Sequence, residues 1–281
     1  MRRWVACGRP IFEGSSRVAK IMGIVNVTPD SFSDGGQWLT PEAATDHAAR
    51  LVRDGAGILD VGGESSRPGS DPVPLDEEVR RVIPAIDAIG AELSVPISVD
   101  TTKAEVARLA IAAGASIIND ITGLAGDPAM VQVAVETGAG VVVMHMAGLP
   151  KTMQVEPSYA DVVSEVYEFL AHRIEVLECA GIPRERIAID PGIGFGKTSA
   201  HNLELLRNLR RFATLGCALL IGTSRKRFLG SITGKSVEDR LIASVVSSLA
   251  AIEQGANIVR MHDVAAMSEA LKVWRAIQEK E

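Results

Sequence analysis

PISVDTTKAEVARLAIAAGASIINDITG, residues 96–123, carries one pattern twice: a short apolar run that stops at a polar side chain, with a helix-like segment between the two runs. The first run ends at Asp100 and the second at Asn119 and Asp120, with GAS (114–116) leading from helix into strand. Short, continuously apolar runs of this kind fit strands buried on both faces of a parallel sheet. The same unit recurs outward in both directions. IMGIVNV around Asn26 and GILDVGGES reaching Glu64 precede it; GVVVMH ending at His145, IAID at Asp190, CALLIGTS at Ser224 and NIVRMH at His262 follow. Eight strands alternating with helices predict an α/β fold, a single (β/α)8 TIM barrel, with its chemistry where the strands end.

The intervening segments carry helix signals. Thr40-Pro41-Glu42 reads as an N-cap with proline in the first turn, and the helix runs to Gly55. Further helices are predicted over 75–90, 103–114, 128–138, 158–181, 199–212, 237–255 and from 263 onward. Pro84 should kink the second or mark its start. The 281 residues suit one barrel domain spanning 1–281, with 1–19 a short N-terminal strand or hairpin extension placed to close the barrel's bottom. Two long rim-side segments rich in Gly, Pro and Ser, 28–40 and 65–74, read as binding loops.

Hydrophobic content of 47% supports a large core, and a net charge of −6 argues against a nucleic-acid surface. No apolar run is long enough to span a membrane. Cys7, Cys179 and Cys217 are odd in number and lack ligand spacing, so mostly buried, reduced thiols of a cytoplasmic protein are expected.

At the rim, Asp190 opens DPGIGFGKT, a carboxylate fixed beside a tight glycine turn, or alternatively a cap of the next helix. GFGKT (194–198) and GSITGKS (230–236) imitate phosphate loops, but their spacing fails the motif. Ser224-Arg225-Lys226-Arg227 places three cations after a strand, either a solvated turn or a site for an anion or polar ring. Arg260 and His262 share one side of the last strand and Met261 takes the other. With Arg67 in the second loop, these separated cations point to a pyrophosphate or similar oxyanion. Asn26 can offer an amide oxygen to Mg²⁺. Asp100, Asn119 and Asp120 add acceptors and amides, while His145 and Met146 read as packing and His47, His172 and His201 as surface or capping residues. No nucleophilic triad is legible, so positioning and electrostatics are favoured over a covalent intermediate.

These residues resemble dihydropteroate synthases. The likeness rests on NVTPDSFSDGG (26–36), GGESSRPGS (62–70), SVDT (98–101), IINDITG (117–123), DPGIGFGKT (190–198), GTSRKRFLG (222–230) and RMHDV (260–264), and runs from about Lys20 to the C-terminus. It implies condensation of 6-hydroxymethyl-7,8-dihydropterin pyrophosphate with p-aminobenzoate, giving 7,8-dihydropteroate and pyrophosphate in folate synthesis by a dissociative route. It further implies that Asp190, Asp100, Asn119 and Lys226 read the pterin ring, with Phe195, Arg225 and Met146 packing about it. The diphosphate is implied to meet Arg260, His262, Ser66, Arg67 and Asn26 with Mg²⁺. Phe32, Asp34, Pro68 and Ser224 are implied to build the p-aminobenzoate pocket, the sulfonamide target of the family. A homodimer is implied as well. The family usually has a β-branched residue where Met261 stands; that position faces away from the site, so little consequence is expected. Two other readings compete: a non-catalytic pterin-binding paralogue, and a pterin-dependent methyltransferase domain, which has no need of Arg67, Arg260 and His262 for a diphosphate.

Overall fold

A computed structural model describes residues 2–14, 19–28, 40–65, 69–148 and 151–278. Its first elements are β1 (Arg2–Ala6) and β2 (Arg9–Gly14), an antiparallel hairpin. Eight parallel strands follow: β3 (Lys20–Asn26), β4 (Ile58–Gly62), β5 (Ile97–Asp100), β6 (Ile117–Asp120), β7 (Gly140–Met144), β8 (Ile187–Asp190), β9 (Ala218–Ile221) and β10 (Ile258–Met261). They pair in sequence order, and β10 closes on β3 to complete the barrel. The helices α1 (Pro41–Asp54), α2 (Leu75–Glu92), α3 (Ala104–Ala112), α4 (Met130–Thr137) and α5 (Val162–Cys179) connect the six strands from β3 to β8 in turn. Then come α6 (Ser199–Arg207), α7 (Leu209–Phe212), α8 (Arg227–Thr233), α9 (Leu241–Glu253) and α10 (Val264–Gln278).

The strands alternate faces. Ile21, Val25, Leu59, Val61, Val99, Ile118, Val141, Val143, Ile189 and Val259 pack in one cluster with residues of the helices. Met22, Ile58, Ile117, Val142, Ala188, Ala218, Leu220 and Ile258 form a second cluster inside the barrel. Trp4, Ala6, Ile11 and Phe12 of the hairpin complete that inner cluster, so the hairpin is the barrel's floor, as the sequence leads one to expect. The Trp4 indole donates to the Arg186 carbonyl at 3.1 Å, and Arg2 donates to Asn257 Oδ1 at 2.7 Å. The register then carries one row across the upper end: Asn26 opposite Gly62, Gly62 opposite Asp100, Asp100 opposite Asn119.

Thr40 caps α1 as expected, its Oγ1 accepting from the Ala43 N–H, and Gly55 ends the helix at φ 111°. Elsewhere the boundaries differ from expectation for local reasons. α5 starts later because Asp161, rather than a residue near 158, accepts from the N–H groups of Val163 and Ser164. α2 passes through Pro84 without starting or ending there; that residue lies on the exposed face, where the carbonyl it cannot bond is able to meet solvent. The helix expected over 199–212 breaks at Asn208, whose side chain turns back to the Glu204 carbonyl. The short α8 was not expected at all. The cysteines are a further correction: Cys217 is buried, but Cys7 at the hairpin turn and Cys179 at the end of α5 are exposed, all three as free thiols. Among the described residues, no helix is long and apolar enough to cross a membrane.

Replacing the wholly buried Trp4 by alanine should cost about 3–5 kcal/mol in denaturant unfolding, as for other buried aromatics. A loss under about 1 kcal/mol would instead mark the hairpin as an appendage outside the cooperative core.

Candidate active site

The residues that close the inner face above the apolar floor are charged. Arg260, on β10, extends Nε to Asp60 Oδ2 at 2.6 Å and Nη2 to Asp100 Oδ2 at 2.8 Å. Asn119 donates its amide to the same Asp60 oxygen at 3.1 Å. Three strands, β4, β5 and β10, therefore meet at one guanidinium, and β6 joins them through Asp60. Met261, between Arg260 and His262, is wholly buried among helix-facing residues, as period two requires. Burial pushes the Asp100 carboxyl up to about 7; Arg260 opposes that rise, and the charges of Asp60, Glu78 and Asp120 add to it.

Across the barrel, Asp190 is nine-tenths buried and its Oδ1 accepts the Gly192 N–H at 2.7 Å. It thus fixes its own tight turn at the strand end, as the first reading expects, and does not cap the next helix, which Thr198 caps instead. Gly192 stands at φ +70°, and a Cβ there would fall 1.9 Å from the His145 carbonyl oxygen, so only glycine fits. A Cβ on Gly194 would meet the Lys226 side chain at 2.9 Å, which shows how closely the loop crosses that lysine. Lys226 donates to the Ile193 carbonyl, and its Nζ sits 4.4 Å from the centre of the Phe195 ring. Burial lowers Lys226 to about 8, with Asp190 pulling the other way. Asp190 itself is raised by burial; Lys226, the Gly192 N–H, Lys197 and Arg260 counter this.

Ser224 and His262 join the ends of β9 and β10. The His262 N–H donates to Ser224 Oγ at 3.2 Å, and that oxygen lies 3.0 Å from His262 Nδ1. Arg225, at φ +58°, turns between them and grips Asp263 in a two-pronged pair at 3.0 and 2.6 Å, so its guanidinium is held by the end of β10. Met146 is half-buried beside His145, and Asn26 is half-buried at the end of β3. Phe32, Asp34, Ser66, Arg67 and Pro68 lie outside the described residues.

Three groups that matter here were not singled out in the sequence. Asp60 is one, in the middle of its strand where the reading had looked only at the end. Lys197 is another, known only from a failed phosphate-loop motif. The third is a cluster in which Lys103 Nζ bonds Glu64 at 2.6 Å and the fully buried Glu78 at 2.5 Å, while Glu64 also accepts the Val73 N–H at 2.9 Å. This ties together the chain on either side of 66–68. A buried carboxylate must find a cation, so Asp60 had a signal, a charge inside the apolar run GILDVG; Lys197 and the Lys103 cluster lie in polar segments and had none of that kind.

Among the described residues, no three His, Cys, Asp or Glu side chains gather as a metal cluster. Asn26 alone suits an ion such as Mg²⁺ that takes most of its oxygens from a substrate's phosphates and water. The site as a whole sets a buried carboxylate beside a cation on each side, Asp100 with Arg260 and Asp190 near Lys226.

A family profile described as "Pterin binding enzyme" matches residues 22–262. A relative from Synechocystis, a dihydropteroate synthase, is 43% identical over 96% of this chain and 93% of its own length. The solved dihydropteroate synthase of Xanthomonas albilineans with 4-aminobenzoic acid is 47% identical, superposes with a TM-score of 0.92, and is matched over 100% of this chain and 99% of that one. The same organism's enzyme in complex with 7,8-dihydropteroate is 45% identical with a TM-score of 0.88, over 99% of this chain and 100% of that one.

Arg260→Leu should destabilise the fold by about 3–5 kcal/mol, because Asp60 and Asp100 are then left as buried charges without their partner. Adding Asp60→Asn and Asp100→Asn to it should restore part of that loss in urea unfolding. No recovery would show that the carboxylates are hydrated independently of Arg260.

Proposed function

The chain belongs to the pterin-binding enzyme family, and on that premise we propose that it catalyses the dihydropteroate synthase reaction by a dissociative route. The observation that carries this reading is the interleaving of buried carboxylates, Asp100 and Asp190, with the Lys226, Arg260 and His262 side chains around a single barrel mouth. A 2-amino-4-oxo pterin edge presents adjacent N–H donors, and a carboxylate accepts two such donors at once. Asp190 fits that role because Gly192 takes only its Oδ1. Asp100 and Asn119 read further ring nitrogens, and Lys226 donates to the ring carbonyl from beside Phe195. Arg260 is held by Asp60 and Asp100, so the cation assigned to the diphosphate is structurally joined to the pterin pocket.

In the reaction the carbon–oxygen bond from the pterin methylene to the diphosphate breaks, and its electrons leave with the pyrophosphate. The arylamine of p-aminobenzoate forms the new carbon–nitrogen bond and gives up a proton. Arg260 and the His262 ring stabilise the charge that gathers on the leaving oxygens, and Arg67 and Ser66 are assigned to the same set. Asn26 would hold Mg²⁺ there together with the substrate, and the ion would supply further charge neutralisation. The family resemblance assigns Phe32, Asp34 and Pro68, together with Ser224, to p-aminobenzoate and to the sulfonamides that compete with it. No protein nucleophile enters. A paralogue that only binds pterin, or a methyltransferase domain, has no use for these donors to a leaving diphosphate.

The chain also has an apolar face on its C-terminal helices, with Ile242 78% and Val246 59% exposed at adjacent turns of α9 and Ile232 and Val237 nearby. Surface this apolar on one face favours a homodimer through it.

The deciding experiment supplies the purified protein with 6-hydroxymethyl-7,8-dihydropterin pyrophosphate, p-aminobenzoate and Mg²⁺, and follows dihydropteroate by chromatography. Product should require both substrates and vanish with EDTA; pterin binding without product would favour the paralogue. Asp190→Asn should weaken pterin binding by about 1.5–3 kcal/mol, measured by calorimetry, since half of the acceptor becomes a donor. Pterin affinity should also fall on acidification, starting above the usual carboxylate range. Burial raises Asp190, so it gains its proton, and loses its acceptor role, at a higher pH than a solvated aspartate.

A further inference from the structure

One buried cation takes no part in the reaction as described. Lys197 is 3% exposed, at the end of the loop that follows β8. An ammonium carries three protons, and here it finds three acceptors: His145 Nδ1 at 2.9 Å, the Phe195 carbonyl at 2.9 Å and the His145 carbonyl at 3.3 Å. Two acceptors belong to the end of β7 and one to the loop itself. His145 is fitted to accept. Burial, helped by Lys197, holds its ring down to about 3, so it is neutral, with Nδ1 open to a donor and the proton on Nε2. Phe169 packs edge-on against that ring at 4.9 Å and fixes its plane.

The loop that Lys197 ties lies hard against the same strand end. A Cβ on Gly192 would reach the His145 carbonyl oxygen, and a Cβ on Gly196 would stand 2.5 Å from that of Ala147. Within the loop sit the Gly192 N–H that bonds Asp190, and Phe195, whose carbonyl holds Lys197 while its ring lies under Lys226.

We infer that Lys197 is a positioning residue for the pterin end of the site: its three hydrogen bonds lash the 191–197 loop to the end of β7 and so set Asp190, its Gly192 partner and the Phe195 ring. This rests on the dihydropteroate synthase reading. Lys197 also acts by charge. The cations facing Asp190 are Lys226, Lys197 and Arg260. The groups facing Lys197 are Asp190, Lys226 and His145, and burial lowers it to about 7 while Asp190 holds it up. Each group thereby helps the other keep its charge.

The test compares the unchanged protein with Lys197→Met and Lys197→Gln, measuring the melting curve, kcat and both KM values between about pH 5 and 9. Lys197→Met should raise KM for the pterin pyrophosphate about tenfold, several times more than KM for p-aminobenzoate, and shift the acid limb of kcat/KM up by about one pH unit. Lys197→Gln keeps two N–H donors without the charge, so it should recover part of the KM but leave the acid limb shifted. An unshifted acid limb and unchanged pterin KM in a folded Lys197→Gln protein would overturn the inference, as would equal losses for both substrates. If Lys197→Met does not fold, Lys197→Gln decides alone. If the unchanged protein gives no product, the reaction reading fails separately. Calorimetry with the pterin pyrophosphate then tests the positioning role, which predicts weaker binding by Lys197→Gln and is refuted by equal binding.

Discussion

A guanidinium held between two carboxylates is the constraint on which the upper half of this barrel depends. Arg260 joins Asp60 and Asp100, and Asn119 completes the set, so side chains of four strands share one balance of charge. Removing three charges from water is costly, and the pair interactions among them offset that cost only while all the partners stay in place. The arrangement therefore specifies geometry more than it adds stability. It places a cation and two acceptors at fixed positions beside the strand ends, where a polar ring and its leaving group can be read together. The apolar floor of Trp4, Phe12, Met22 and Ile58 below supplies the stability that the charged layer does not.

The second half of the site is built differently. Asp190 is set by backbone, through a turn that only glycine can make at Gly192, and by the close passage of Gly194 over Lys226. One side of the mouth thus relies on ion pairs between strands and the other on a loop pressed onto a strand end. The two meet electrostatically, since Arg260 and Lys226 both act on Asp190.

The barrel was legible because its strands are continuous apolar runs that end in polar residues, and period two then put Arg260 and His262 on one side and Met261 on the other. Asp100, Asn119 and Asp190 were found by the same rule. Asp60 was not, because a rule that looks at strand ends passes over a carboxylate flanked by Leu59 and Val61; its partner is 200 residues away. Lys197 was hidden for a related reason: its acceptors are a histidine ring and two carbonyls, one of them in its own loop. Helix starts were missed where a nearby capping side chain competed, as Asp161 does at α5. Local propensity could not show that Arg225 would turn to Asp263, since that pair is made only once β9 and β10 are side by side.

The hairpin floor has a consequence for how the chain reaches this state. Trp4 bonds a carbonyl 182 residues further on, and Arg2 a side chain 255 residues further on. The hairpin is therefore synthesised long before its last docking partners, although Met22 of the same inner cluster follows it closely. Until then Trp4, Ile11 and Phe12 stand as an unsatisfied apolar edge, the kind of surface that chaperones recognise and that aggregates form upon. Contacts this distant along the chain make closure a slow, late event. In this barrel the hairpin is fastened by residues that are synthesised long after it.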